Sequence, residues 1–282
     1  MTVLPPGTDA LIAAALAEDI GDGDHTTRST IPPGARGGMR LLVKQDGVLA
    51  GVELARAICA RAHPDLHLRP LLEDGAHVKA GDVAFTLSGP VHALLSTERV
   101  LLNFMQRLSG IATLTRRFVD ALEGTGCRVL DTRKTTPTLR ALEKWAVRIG
   151  GGENHRHGLY DMILIKDNHV DFAGGIGPAL GAARDYLHLH ALAIPIEVEA
   201  RTLREVEEIL AHGGADRIML DNFGTDDLRA AVARIAGRHR TEASGGITLT
   251  NARAYADCGV DFISVGALTH SATSLDLSLK AL

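Results

Sequence analysis

The stretch PIEVEARTLREVEEILAHGGADRIMLDN, residues 195–222, decides the fold. IEVEA is a short apolar and β-branched run broken by two glutamates. TLREVEEILAHGGA follows, with apolar residues at helical spacing and a glycine close. A second short run, RIMLDN, comes directly after it. Strand, helix and strand in this order make a crossover unit, and crossover units make parallel sheets. Working outward, the runs RVLDTRK and MILIKDN precede this unit, and RTEASGG and FISVGA follow it. Taking Asp131, Lys166, Glu199, Asp221, Ser244 and Gly266 as markers, the intervals are 35, 33, 22, 23 and 22 residues. TDDLRAAVARIAG and TNARAYADCG fill two of them as amphipathic helices. So many units in series favour a barrel over an open sheet, with the chemistry at the carboxyl ends of the strands. Charged residues ending buried strands cost desolvation unless something binds them, which points to a site there.

The first hundred residues have a different grain. LIAAALAED reads as a short helix capped by Asp9, and VELARAICARA as a second amphipathic helix. GMRLLVKQDGVLAG reads as strand, turn and short strand, and LLEDGAHVKAGDVAFTLSG as a glycine-punctuated hairpin. These elements suggest a small α+β domain with its sheet covered on one side. STERVLLNFMQRLSGIATLTRRFVDALEG is helical throughout and bridges the two parts. The expected division is residues 1–110, residues 111–270, and a final segment 271–282 packing back on the first domain.

Composition excludes several classes. With 30 Lys+Arg against 34 Asp+Glu, the 282-residue chain carries a formal charge of −4 and no general basic footprint for nucleic acid. Its three cysteines are widely spaced and form neither a disulfide framework nor a zinc motif. No apolar run approaches the ~18 residues that span a bilayer. The start, MTVLPPGTDA, lacks the basic and apolar regions of a signal peptide, so a cytoplasmic setting is expected.

The charge is uneven, however. Between Asp131 and His169 seven Lys and Arg residues face five Asp and Glu residues, a local net of +2. Such an island suits a small anionic ligand, or else solvated helix charge. Within it, DTRKTTPTLR (131–140) places Arg133 and Lys134 after a strand, with Thr135, Thr136 and Pro137 opening a helix. Arginine grips carboxylates with paired hydrogen bonds and lysine offers a compact charge for phosphate. The plainer alternative is a capped helix with exposed charges. GGGENHRHGLYD (150–161) sets His155 and Arg156 just after three glycines, and Lys166 ends the next strand. Arg133, His155, Arg156 and Lys166 together could hold a dicarboxylate. Opposite them, Glu197 and Glu199 share a strand face and Asp221 ends RIMLDN. These carboxylates could take sugar hydroxyls or magnesium, and Glu199 could instead pair with Lys166 as a structural salt bridge. ASGGI and VGAL follow the last two strands as a phosphate cradle. Two other segments are set aside. EDGAHVKAGD lacks the lysine-bearing turn of a swinging-arm carrier, and EDIGDGDHTT lacks calcium-loop spacing and reads as a capped turn.

In order along the chain, EDIGDGDHTT, TERVLLNFMQRLSGIAT, DTRKTTPTLR, EKWAVRIGGGENHRHGLYDMILIKDNH, EVEA, MLDN, EASGGI and GVDFISVGALTHS resemble the quinolinate phosphoribosyltransferase family, from about residue 10 to 275. The resemblance implies an N-terminal open α/β sandwich plus a C-terminal incomplete parallel α/β barrel, a homodimer, and a place in the de novo route to NAD. It implies transfer of phosphoribosyl from 5-phosphoribosyl 1-diphosphate to quinolinate with decarboxylation. On the matching positions it assigns quinolinate to Arg133, His155, Arg156 and Lys166, with Thr132 and Lys134 in the same site and Lys134 also near the diphosphate. Arg99 resembles the arginine that reaches the partner's site. Glu199 and Asp221 match the groups near the ribose hydroxyls and Mg2+, and Ser244, Gly245, Gly246 and Gly266 match the 5′-phosphate loops. The chain departs from the family at Thr138 (usually glycine), Trp145 (commonly tyrosine) and Ala200 (usually valine). A molybdenum-transport-associated relative, a nicotinate phosphoribosyltransferase and a non-catalytic phosphate-ligand sensor are the rival expectations. The first departs at the segments matching HGLYD and KDNH, both intact here. The second needs fewer carboxylate-binding cations, and the third should have lost at least one charged site residue.

Overall fold

A computed structural model describes residues 3–282. The chain opens with helices Thr8–Ile20 (α1) and His25–Thr30 (α2), then strands Arg36–Val43 (β1) and Gly47–Val48 (β2). Helix Val52–Ala62 (α3) precedes strands His67–Pro70 (β3), His77–Val78 (β4) and Val83–Pro90 (β5). Helix Val91–Ala121 (α4) leads to Arg128–Leu130 (β6), Arg140–Ile149 (α5) and Ile163–Ile165 (β7). Asp167–Ala173 (α6), Ile176–Leu189 (α7), Ile196–Ala200 (β8), Leu203–His212 (α8), Arg217–Asp221 (β9) and Thr225–Ile235 (α9) follow. Arg240–Ser244 (β10), Ala252–Ala256 (α10), Phe262–Ser264 (β11), Ala267–His270 (α11) and Leu277–Ala281 (β12) complete it.

Two compact units emerge, and their seams differ from the expected 110/111 and 270/271 boundaries at two places: the first lies at 116/117, and residues 136–151 group with the first unit. The first holds residues up to Arg116, Thr136–Gly151 and Ser271–Leu282; the second holds Arg117–Thr135 and Gly152–His270. The segment carrying α5 groups with the first unit because the buried Glu143 accepts hydrogen bonds from Arg107 of α4, at 2.8 and 3.1 Å.

In the first unit an antiparallel sheet runs β12-β1-β5-β3. Its core is apolar: Leu41, Val43, Phe85 and Leu87 of the sheet pack with Leu101 and Met105 of α4. β1 and the short β2 follow in the expected order, but the hairpin expected of LLEDGAHVKAGDVAFTLSG does not form. β2 pairs with β4, while β1 lies between β12 and β5. Asp74, in the loop before β4, reaches α3 instead and accepts from the amides of Gly51 and Val52 at 2.6 and 2.8 Å. Asp9 is not the cap of α1, which starts at Thr8 behind a left-handed Gly7. EDIGDGDHTT is a capped helix start, with Asp24 accepting from the amide of Thr27.

The second unit is the crossover array that residues 195–222 foreshadow. Six parallel strands run β6-β11-β10-β9-β8-β7. β6 and β7 are the two edges and do not pair with each other, so the sheet stays open, as an incomplete barrel does. Ile196, Val198 and Ala200 alternate with Glu197 and Glu199 along β8, and all five are buried. That is a strand enclosed on both faces, one apolar and one charged. α8 and α9 bury Val206, Ile209, Leu228 and Ile235, the residues their periodicity selects.

Candidate active site

At the carboxyl ends of these strands the second unit encloses a cavity of about 810 Å³. Every strand of the sheet contributes through its last residues or the turn after it, because the alternation that buries Val198 and Ile218 turns Glu199 and Asp221 the other way. Thr132, Arg133, Lys134, His155, Arg156 and Lys166 all line the cavity. So do Glu199, Asp221, Ser244, Gly245, Gly246 and Gly266. Arg99 does not: it is an exposed residue of α4 in the first unit.

The cations come from three segments: after β6, between α5 and β7, and after β7. After β6, the buried Asp131 accepts from Asn154 Nδ2 at 2.6 Å and from the His155 amide at 2.9 Å. Thr132 Oγ1 accepts from the Lys134 amide at 3.0 Å. Arg156 donates to the Met162 carbonyl at 3.1 Å; burial, and then the neighbouring Arg133 charge, pull its pKa below the ordinary arginine value. After β7, Lys166 Nζ lies 3.2 Å from Glu199 Oε2, the ion pair anticipated from sequence. Lys166 belongs to the cavity at the same time, so the pairing and the site coexist.

Carboxylates come from the central strands. Glu199 of β8 and Asp221 of β9 line the wall, Asp221 accepting from Asn222 Nδ2 at 2.6 Å. Their oxygens are the donor type magnesium takes, and two carboxylates leave the rest of its shell to other oxygen ligands. The residues present therefore fit such an ion. Beneath them lies a group that the sequence reading did not assemble. His155 Nε2 donates to Glu197 Oε2 at 2.8 Å and stands 3.6 Å from Glu242 Oε2, which Arg217 holds at 2.8 Å. Burial, reinforced by the Glu197 charge, pushes the Glu242 carboxyl up to about 7, and burial also raises Glu197. Arg217 and Arg128 in turn stack over Phe262, at 4.4 and 4.6 Å from the ring centre. The missed signal was the alternation of Glu242 with Ser244 in RTEAS, the same pattern that singled out Glu197 and Glu199.

The two glycine turns allow close approach. Gly245 (φ 91°) and Gly246 (φ 61°) are left-handed, and a Cβ on Gly245 would overlap the Asn222 side chain. At Gly266 a Cβ would come within 3.0 Å of Lys134 Cδ. These turns can present backbone amides to a phosphate where side chains would intrude.

Two sequence expectations need correction. Thr135, Thr136 and Pro137 do not open a helix: α5 begins only at Arg140, and Thr138 between them is left-handed at φ 69°. Nor is the whole basic island one surface. Lys144 and Arg148 lie on α5 of the first unit, and only Arg133, Lys134, Arg156 and Lys166 of the seven cations line the cavity. Sequence proximity overcounted because α5 groups with the first unit and the strand that precedes it with the second.

Comparison with known proteins extends these observations. Residues 24–109 match the family described as quinolinate phosphoribosyl transferase, N-terminal domain, and residues 111–280 match its C-terminal domain. Quinolinate phosphoribosyltransferase (decarboxylating) 1b of Nicotiana tabacum is 45% identical over 285 residues, covering 96% of this chain and 81% of its own. The chloroplastic nicotinate-nucleotide pyrophosphorylase (carboxylating) of Arabidopsis thaliana is 48% identical over 286 residues, covering 96% and 82%. Among solved structures, NadC from Streptococcus pyogenes aligns over 100% of both chains with a TM-score of 0.94 and 40% identity. With antiparallel and parallel halves each matched to its own domain, the chain belongs to the quinolinate phosphoribosyl transferase family.

Proposed function

We propose that this chain transfers the phosphoribosyl group of 5-phosphoribosyl 1-diphosphate to quinolinate. The products are nicotinate mononucleotide, diphosphate and carbon dioxide, as de novo NAD synthesis requires. One observation carries the reading: cations from segments flanking the edge strands and carboxylates from the central strands line one cavity, beside two glycine turns. That is the charge pattern for a dicarboxylate ring next to a phosphorylated sugar.

Arg133, His155, Arg156 and Lys166 take the two carboxylates of quinolinate, with Thr132 beside them. Lys134 serves the diphosphate, and Ser244, Gly245, Gly246 and Gly266 receive the 5′-phosphate. The ring nitrogen forms its bond to the anomeric carbon as the bond from that carbon to diphosphate breaks. Glu199 and Asp221 face the sugar and favour its oxocarbenium character, a charge that develops in the transition state. The alkylated, cationic ring then accepts the electron pair released as the 2-carboxylate leaves as carbon dioxide. The proton that C2 takes up comes from Lys134, Lys166, His155 or water.

Glu199 and Asp221 are the residues that would hold Mg2+, partly through the substrate diphosphate. Bound there, the ion supplies charge neutralisation for the leaving group. A homodimer in which Arg99 reaches the partner's site belongs to the same reading, supported by the exposure of Arg99 on α4. A cytoplasmic setting also belongs to it, supported by three free, buried cysteines. No helix among the described residues is long and apolar enough to cross a membrane.

The decisive assay combines the purified chain, 5-phosphoribosyl 1-diphosphate, magnesium, and either quinolinate or nicotinate. Carbon dioxide and nicotinate mononucleotide are expected from quinolinate, and their absence overturns the reading. Mixing inactive Arg99→Ala and Lys166→Ala chains should restore activity through hybrid dimers. No recovery after demonstrated subunit exchange removes Arg99 from the partner's site.

A further inference from the structure

His155 and Arg156 sit on the segment between α5 and β7, which contains no helix and only a single bridge residue at Glu153. An imidazole carried on such a segment has no regular element to fix its orientation. Two buried carboxylates do the fastening. Asp131 accepts from the His155 amide at 2.9 Å, and Glu197 accepts from the ring Nε2 at 2.8 Å. Glu197 is fully buried. Two residues further along the same strand, Glu199 accepts from Lys166 Nζ at 3.2 Å. β8 therefore grips two nitrogen-bearing side chains of the cavity, the His155 ring and the Lys166 ammonium, through alternate carboxylates on one face. Alternate residues on a strand face are spaced by roughly 6–7 Å. Glu242 closes the arrangement from β10. It stands 3.6 Å from the same His155 nitrogen and is itself held at 2.8 Å by Arg217 of β9. Arg156 and Lys166 are the further charges that act on Glu197.

Buried ion pairs contribute little net stability, since desolvation offsets their attraction; their better-attested use is to specify geometry. Geometry is what the cavity requires of these groups. We propose that strand β8 is a ruler: Glu197 and Glu199 fix the separation of His155 and Lys166, and Glu197 and Glu242 are positioning residues that select a ligand with two carboxylates. The proposal rests on the quinolinate reading for its ligand but not for its geometry. Glu197 and Glu242 touch no substrate in it and act through His155. Glu197→Ala removes the ring's 2.8 Å partner and leaves Glu242 at 3.6 Å, so the ring is held less firmly and the dicarboxylate binds less well in ground and transition states alike. Such a loss of uniform binding raises KM and spares kcat.

The test has two arms. In the ligand-free chain, ¹⁵N NMR of the histidine ring nitrogens, assigned with His155→Gln, should show one fixed Nε2–H donor. Glu197→Ala should shift and broaden that signal, while Glu197→Gln, which keeps an acceptor of equal reach, should restore it. An unchanged signal in Glu197→Ala overturns the ruler whatever the substrate proves to be. In the kinetic arm, Glu197→Ala should raise the quinolinate KM about tenfold, the equivalent of one hydrogen bond, with kcat within about twofold. Glu197→Gln should recover most of that loss. Adding His155→Ala to Glu197→Ala should cost less than His155→Ala costs in the parent chain, as coupled residues behave. Inhibition by nicotinate, with its single carboxylate, should change less than the quinolinate KM. Equal losses for both ligands, or additive losses in the double variant, overturn the selection by spacing. Should Glu197→Ala fail to fold, Glu197→Asp, which shortens the reach by one methylene, carries both arms with the same expectations. A divalent ion that co-purifies with the chain and is lost in Glu197→Gln also overturns the proposal, because it makes the cluster of His155, Glu197 and Glu242 a metal site.

Discussion

The sheets of the two units differ in what lies against their strands. In the first, Leu41, Val43, Phe85 and Leu87 meet Leu101 and Met105 in an apolar core. In the second, the inner face of the sheet buries Glu197 and Glu242 completely, and Glu199 and His155 almost so. A buried carboxylate costs several kcal/mol unless partners compensate it, whereas a buried leucine stabilises by about 2 kcal/mol. The first sheet is therefore organised for stability and the second for charge placement. Substitutions in the two should fail differently, and that difference can be measured.

The largest effect belongs to the charged face. Lys166→Ala should lower kcat/KM for quinolinate roughly 10²–10³-fold, the cost of removing one charge partner from a preorganised site, with a smaller effect on melting temperature from the unpaired Glu199 carboxylate. Steady-state kinetics beside thermal melting checks both halves. Leu41→Ala should do the reverse. It leaves a cavity in a fully buried position, costs about 3 kcal/mol in chemical denaturation, and spares kcat. Loss of activity in folded Leu41→Ala protein would break the contrast between the units.

Next comes pH. The Glu242 carboxyl has an ordinary value of 4.5 and is raised to about 7 when folded, chiefly by burial. The folded chain therefore keeps a proton that the unfolded chain releases above about 4.5. Its stabilisation is complete below the unfolded value and is lost as pH rises through about 7. Unfolding free energy should fall by on the order of 2–3 kcal/mol over that window, and Glu242→Gln should flatten the decline. Measurements of stability against pH that superpose for the two proteins would refute the assignment. The smallest effect lies at Thr138, a β-branched residue held at φ 69°. Thr138→Gly should stabilise the chain by about 1 kcal/mol, because glycine takes that conformation without a Cβ clash.

The parallel array was legible because its strands are short, regularly spaced and separated by strongly periodic helices. Most of the cavity lining was legible with it, since charged residues at the ends of apolar runs have few other reasons to be there. The first unit was harder to read. Its strands pair across long sequence gaps, so β1 meets β5 and β12 rather than the neighbouring β2, and no local turn signal encodes that. The same limit hid Arg217 and Glu242 from the site. Glu242 lies inside β10 and Arg217 opens β9, so neither stands at a carboxyl end, and only the lateral order of β8, β9 and β10 brings Glu242 to His155 and Arg217 to Glu242. Local charge counting failed at Lys144 and Arg148 for the complementary reason, that close neighbours in sequence part company in space.

The pairing of β12 with β1 also bears on how the chain folds. β1 is the inner partner of β12 and β5, and the register Leu41↔Leu279 and Val43↔Leu277 joins residues more than two hundred positions apart. During synthesis, β1 must wait as an unprotected edge until the entire parallel array has been made. An exposed edge bearing Leu41 and Val43 invites pairing with other chains. The interval between translation of β5 and release of β12 is thus one in which that edge is open to such pairing. A chaperone that shields extended apolar strands would act in that interval, before any substrate pocket is needed.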